Sequence, residues 1–219
     1  MWTTQFSAGW CKGGEVMTIY ITSDLHFGHR NICGEDGFCS TRQHFADTAE
    51  MNNYLIEAIN SVVTNSDTLY HLGDFSMNMK PAEVLEIAMK IRGQIHFIKG
   101  NHDTNKQLSY LSGRNYLLGD KRPKFVFHEV GTIIKQNKKS YYLTHYPLGL
   151  GEHRNRLRSI CGHIHEEVAR EANVINVGID SPELPKDHPF GVPITLDVAA
   201  ELVEAKWLEW VKITKTLSH

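Results

Sequence analysis

Five times along this chain a short apolar run ends abruptly in a turn of acids, amides and imidazoles. The stretches are "SDLHFGH" (23–29), "HLGDF" (71–75), "KGNHD" (99–103), "LTHYP" (143–147) and "CGHIH" (161–165). Short apolar, β-branched runs read as buried strands. Loops at the ends of strands are where α/β proteins put their sites. The repeated unit therefore demands a fold that mounts polar turns on the ends of several core strands.

The sequence between these turns fits such a fold. "MNNYLIEAINSVV" (51–63) carries apolar residues at helical spacing after an Asp-Thr start, and Pro81 opens a second helix over "AEVLEIAMKI". "FVFHEV", "TIIKQ", "SYYLTHYP", "RSICGHIH" and "NVINVG" are strand candidates, and the turn "NKK" joins the second to the third. A last helix follows "PIT", with Asp197 expected as its N-cap. Strand–helix alternation followed by strand-rich sequence predicts an α/β protein with two packed sheets.

Length allows one large domain, expected over 17–219, burying roughly 70% of its unfolded surface. A net charge of −2 leaves no global field to draw in nucleic acid or anionic membrane. Thirteen histidines are the one compositional excess. Cys11, Cys33, Cys39 and Cys161 form no C-x-x-C pair, so unpaired thiols and a reduced, cytoplasmic setting are expected. No apolar run approaches the ~20 residues of a membrane span. Residues 1–16 show no period and no signal-peptide pattern, and "KGGE" can be encoded by a ribosome-binding sequence. They are expected to be a translated leader or mis-assigned start without fold, ahead of Met17.

The polar turns specify chemistry. Asp24-x-His26 and His163-x-His165 are i, i+2 pairs at strand ends, each projecting to one side of the backbone. With Asp74, Asn101 and His145 they make seven oxygen and nitrogen donors and no thiolate. That mixture suits Mn, Fe, Co, Ni, Zn or Mg better than a Cys-type structural zinc site. Seven donors are too many for one tetrahedral ion and about right for two ions sharing a carboxylate and a water.

In order, D-x-H, G-D, G-N-H-D, H and G-H-x-H resemble the calcineurin-like metallophosphoesterase superfamily, and "SDLHFGHRNI", "YHLGDF", "KGNHD" and "INVGID…PITLD" resemble its compact bacterial and phage branch. The resemblance implies a four-layer αββα sandwich, two mixed β-sheets flanked by helices. It implies that Asp24, His26 and His165 bind a first metal, that Asp74 bridges, and that Asn101, His145 and His163 complete a second site. His102 would be the near-site acid, oriented by Asp103. The implied activity is hydrolysis of phosphomono- or phosphodiesters by in-line attack of a metal-bridging hydroxide. The cofactors would be two divalent ions, Mn foremost.

Outside that core, His29, Arg30 and Asn31 are candidates for a substrate-facing loop. Arg154, Arg156 and Arg158 alternate before "CGHIH", where on a strand they would share a face and draw in a polyphosphate or nucleic-acid backbone. A small phosphate ester, nucleotide-type, is the favoured substrate. The alternatives are a nuclease acting on nucleic acid and a non-catalytic protein-binding scaffold. Scaffold relatives typically lack the catalytic His or several ligands, and all stand here.

Overall fold

Residues 10–12, 15–151 and 155–217 are described by the computed structural model. Trp10–Lys12 (β1) and Glu15–Met17 (β2) pair antiparallel. Part of the segment expected to carry no fold is therefore a small hairpin, because its extended backbones satisfy each other's amides. The rest of 1–16 lies outside the described residues.

The next elements alternate as expected: Ile19–Thr22 (β3), Thr48–Val62 (α1), Thr68–His71 (β4), Pro81–Lys90 (α2), Gln94–Ile98 (β5), Asn105–Ser112 (α3) and Phe125–His128 (β6). Strand-rich sequence follows: Gly131–Gln136 (β7), Lys139–Thr144 (β8), Leu157–Cys161 (β9), Val174–Asn176 (β10) and Ile194–Thr195 (β11), before the long helix Leu196–Leu217 (α4). Asn137 and Lys138, at φ 50° and 62°, make the tight turn between β7 and β8.

Two mixed sheets result. The first has the order β11-β3-β4-β5-β6, with β3 to β6 parallel and β11 antiparallel to β3. The second runs β10-β9-β8-β7, with only β7 antiparallel to its neighbour. Helices α1 to α3 cover the outer face of the first sheet, where Met51, Leu55 and Ile59 of α1 and Val84 and Ile87 of α2 pack on Leu69, Ile95 and Phe97. Between the sheets, Ile21, Leu72 and Ile98 meet Tyr141, Leu143, Ile160 and Ile175. Ala199, Ala200 and Val203 of α4 enter the same cluster, and α4 touches both sheets. The two mixed sheets with flanking helices are as the sequence predicts.

Local chemistry sets the helix starts. The Asp47 carboxylate accepts the amides of Ala49 and Glu50 (2.8 and 2.9 Å), a cap that stabilises by about 1 kcal/mol. Thr104 and Gln107 bond reciprocally at the start of α3, a helix the apolar periodicity did not reveal. At α4 the structure corrects the expectation. Thr195 Oγ1 accepts Val198 N–H (3.2 Å), and Asp197 already lies inside the first turn, where its charge suits the helix N-terminus.

Ile59 is fully buried between α1 and the first sheet. Ile59→Ala should lower unfolding free energy by about 2–5 kcal/mol, read as a fall in the urea midpoint at unchanged slope.

Candidate metal centre

Parallel pairing decides where the polar turns go. β3, β4 and β5 point the same way, so the loops after Thr22, His71 and Ile98 leave one edge of the first sheet. The loops after β8 and β9 join through Gly162 N–H donating to His145 O (3.1 Å). Asp24 links the two sheets. Its amide donates to Gly73 O (3.1 Å), and its carboxylate oxygens accept His163 N–H at 3.1 and 3.0 Å.

The local backbone is unusual where it matters. Nine non-glycine residues among those described have positive φ, and five are expected ligands: Asp24 (60°), His26 (50°), Asp74 (57°), His163 (73°) and His165 (44°). A left-handed conformation costs an L-residue about 1–2 kcal/mol, and such residues gather at functional sites. Two glycines make room for the carboxylates. A Cβ on Gly100 would collide with Asp74 Oδ1, and one on Gly162 with Ser23 Oγ and Asp24 Oδ2.

Two ligand groups stand side by side. Asp24, His26 and His165 form one and Asp74, His145 and His163 the other; within each group the donor atoms lie within 4.8 Å of one another. Asn101 belongs with the second, its Oδ1 lying 2.8 Å from His145 Nε2 and 3.0 Å from His163 Nδ1. Asp74 divides its labour. Oδ1 accepts His102 N–H (2.9 Å), while Oδ2 faces His26 Nε2 at 3.6 Å and His145 Nε2 at 3.4 Å, one imidazole from each group.

The donor set fits a pair of divalent cations on three counts. Buried His26 Nε2 has no hydrogen-bond partner among the described residues. His145 Nδ1 donates to Leu72 O (2.9 Å), so its Nε2 is turned to Asn101 Oδ1 (2.8 Å) and Asp74 Oδ2 (3.4 Å), where a cation would replace the proton that Asp74 draws onto the ring. Burial, with Arg42 nearby, pushes the His26 pKa down to about 2, so its imidazole is neutral and free to coordinate. Burial raises the Asp24 carboxyl to about 6 against the pull of His165 and His145. Burial pushes Asp74 the same way, but the bond and charge of His145 outweigh it and hold Asp74 below the usual carboxylate range.

Residues 17–199 match the sequence pattern of the calcineurin-like phosphoesterase superfamily domain. The chain belongs to this superfamily. It is 31% identical over 134 residues to the uncharacterized protein MJ1445 of Methanocaldococcus jannaschii, a match covering 59% of this chain and 73% of that one. It is 27% identical over 193 residues to the gene 66 protein of Mycobacterium phage L5, covering 74% and 86%. Its fold resembles the crystal structure of AQ665, a protein of unknown function from Aquifex aeolicus, with a TM-score of 0.58 at 24% identity, over 85% of this chain and 99% of that one.

Within this superfamily fold, His102 stands at the open side of the centre, its Nε2 4.0 Å from Asp74 Oδ2 and its side chain 35% exposed. The hydrogen bonds of Asp103 go to backbone and not to the His102 ring. Both Asp103 oxygens are taken by backbone amides, those of Gly100 and Asp74 on one (2.9 Å each) and of Phe75 on the other (3.0 Å). Burial raises the Asp103 pKa despite these donors. It is a clamp between the "HLGDF" and "KGNHD" turns rather than a catalytic group.

The basic run is also corrected. Arg158 is buried in β9, its guanidinium 2.8 Å from Glu204 of α4 and 4.8 Å over the Trp207 ring. Arg156 is exposed at the start of β9, where its carbonyl accepts Ser140 N–H (2.8 Å), but the burial of Arg158 against α4 removes it from any exposed basic face; Arg154 lies outside the described residues. His29 is buried, with Nδ1 3.3 Å from His26 Nδ1, so it supports a ligand instead of facing solvent. Arg30 and Asn31 occupy the exposed short turn that follows.

Two residues carry the first ligand group without having stood out in the sequence. Asp180 accepts His165 Nδ1–H (3.1 Å), which leaves Nε2 for coordination. Arg42, fully buried, binds both Asp180 oxygens and donates to the carbonyls of Asp24 and Leu25. Cys39 lies close enough to His165 and Asp180 to make a third donor group, but Arg42 already occupies that carboxylate. Cys33, Cys39 and Cys161 are free thiols.

Arg42→Met should cost about 3–5 kcal/mol, because it strands a buried carboxylate. Burial opposes ionisation of Asp180, but Arg42 and His165 hold its pKa far below the ordinary range. A depressed carboxylate stabilises fully above the unfolded pKa of ~3.9 and loses that contribution as pH falls through and below it. The urea-stability difference between wild type and Asp180→Asn should therefore shrink by about 1 kcal/mol from pH 7 to pH 3; an unchanged difference would refute the ion pair's role.

Proposed function

We propose that this chain is a phosphoesterase dependent on two divalent cations, Mn foremost, that hydrolyses small phosphodiesters of nucleotide type. The observation that carries the proposal is Asp74 Oδ2, placed between an imidazole of each ligand group. Asp24, His26 and His165 would hold one ion, Asn101, His145 and His163 the other, and Asp74 both. When bound, such a pair lowers the pKa of a shared water and neutralises phosphoryl charge. The neutral carboxamide of Asn101 donates oxygen without adding negative charge, so the site keeps a net attraction for an anion.

The chain's own groups do the rest. His102 stands next to Asp74 on the open side, where its imidazole can give a proton to the departing alkoxide or steady charge on the phosphoryl oxygens. Asp103, by clamping the amides of Gly100, Asp74 and Phe75, fixes the two turns that carry Asp74, Asn101 and His102. A small ester is favoured over long nucleic acid, since Arg158, one of the three arginines that spoke for a basic groove, is buried against Glu204. Residues 17–219 are taken as one domain, and the free thiols suit a reduced, cytoplasmic setting.

Metal analysis of the purified protein and turnover of phosphate esters test this together. Wild type should carry close to two ions per chain and hydrolyse aryl phosphodiesters with added Mn; inactivity on mono- and diesters under every metal tried would sink the proposal. Asp74→Asn should lose both ions' affinity and nearly all turnover. His102→Ala should keep the metal content and lose roughly 10²–10⁴-fold in kcat; a variant with wild-type kcat would rule out its role.

A further inference from the structure

Two large aromatic side chains stand exposed beside the centre, one at each end. Phe38 is 61% exposed and its ring lies 5.5 Å from that of His29. His29 in turn lies 5.2 Å from His26 and 6.4 Å from His102, on the side of the first ligand group. Tyr146 is 49% exposed, with its ring 4.6 Å from His163 and 5.0 Å from His145, on the side of the second. Between them lie exposed Asn101 and half-buried His102.

A single exposed aromatic is unremarkable on a protein surface. What separates this pair from exposed Tyr54 and Tyr116 is position, since each ring packs on histidines of the centre. Phe38 N–H donates to Asn31 O (3.2 Å), and the chain enters the turn Ser40–Arg42 two residues later, where Arg42 is locked to Asp180. The carbonyl of Tyr146 accepts the hydroxyl of buried Thr144 (2.8 Å), directly after the ligand His145. Both rings are thus mounted on the segments that position the ligands. Exposed rings stack on nucleobases or aryl groups with little regard to which one.

We infer that the centre takes a phosphodiester bearing a planar ring on each arm, with Phe38 stacking on one arm and Tyr146 on the other. This rests on the phosphoesterase proposal and narrows it. The phosphoryl group would lie at the ligand groups, and each arm would run outward to one ring. A phosphomonoester has one arm and leaves one ring unused. A polymer gains nothing from the two rings that a dinucleotide does not already have, and Arg158 offers it no phosphate contact.

Both side chains are exposed enough that leucine should be accommodated, which thermal melting will verify. With Mn present, Phe38→Leu and Tyr146→Leu should each raise KM for bis(p-nitrophenyl) phosphate about tenfold at similar kcat. For methyl p-nitrophenyl phosphate, which has one ring, only one of the two substitutions should matter. Calorimetry with an uncleavable dinucleoside methylenephosphonate should show each substitution weakening Kd about tenfold. Wild-type KM and Kd in both variants would overturn the inference, as would equal losses on the one-ring and two-ring esters. If wild type cleaves no ester yet binds the phosphonate with these losses, the clamp stands and the phosphoesterase proposal fails.

Discussion

The left-handed backbone at the ligand positions is the constraint on which the rest of this structure depends. In a strand, Asp24 and His26 would project from one face of the pleat and send their side chains into the core. Turned to φ 60° and 50°, they leave the sheet at the end of β3 and face the loops of β4 and β9. Each such residue costs about 1–2 kcal/mol, so a row of them survives only where neighbours over-determine the geometry. Here the neighbours do. His26 N–H is bonded to Asp74 O (3.0 Å), Phe27 N–H to Phe75 O (3.0 Å), and the Asp24 carboxylate to His163 N–H. Both sheets contribute, which is why the centre forms only when their edges lie together.

Turns packed this tightly must also satisfy their own amides, and the structure does so with carboxylates that bind no substrate. Asp103 takes three N–H groups from two turns. Asp180 and Arg42 do the equivalent for the first ligand group, joining the loop after β10, the turn Ser40–Arg42 and the carbonyls of residues 24 and 25. A buried ion pair seldom adds net stability over apolar packing. Its value here is directional: a guanidinium fork fixes where Asp180 points, and Asp180 fixes which nitrogen of His165 carries the proton.

The parts legible in the sequence were those with a local signature. Helix α1 announced itself through Asp47 and the spacing of Met51, Leu55 and Ile59, and the two candidate donor groups through donor residues recurring at strand ends. What escaped depends on partners far along the chain. Nothing near Arg42 indicates that Asp180, 138 residues away, completes it. Arg158 looked like part of a basic face because alternation on a strand implies a shared side. Glu204 and Trp207 of α4 claim its side chain from a different element. Asp103 sits beside His102 in sequence, which invited a pairing, whereas its carboxylate is engaged by three backbone amides. Helix α3, with Leu111 and Gln107 as its buried residues, has too narrow an apolar stripe to reveal itself by period.

Charge gives the strongest reason to regard the centre as built around cations. Two buried aspartates and four imidazoles meet within a few ångströms, and none of the four imidazoles is a strong permanent positive charge. Protein groups alone handle this unevenly. Asp74 keeps its charge by drawing a proton onto His145, whose pKa rises against the effect of burial, while Asp24, lacking so close a partner, is pushed up to about 6. Near neutral pH part of the Asp24 population would then hold a proton that no catalytic task needs. A divalent ion reverses this logic, because it favours the ionised carboxylate and the neutral imidazole at the same time. Such an ion would also account for the unpartnered Nε2 of buried His26, and at His145 it would take the place of the proton. A cation at each ligand group would make the hydrogen bonds, the burial and the ionisation states mutually consistent.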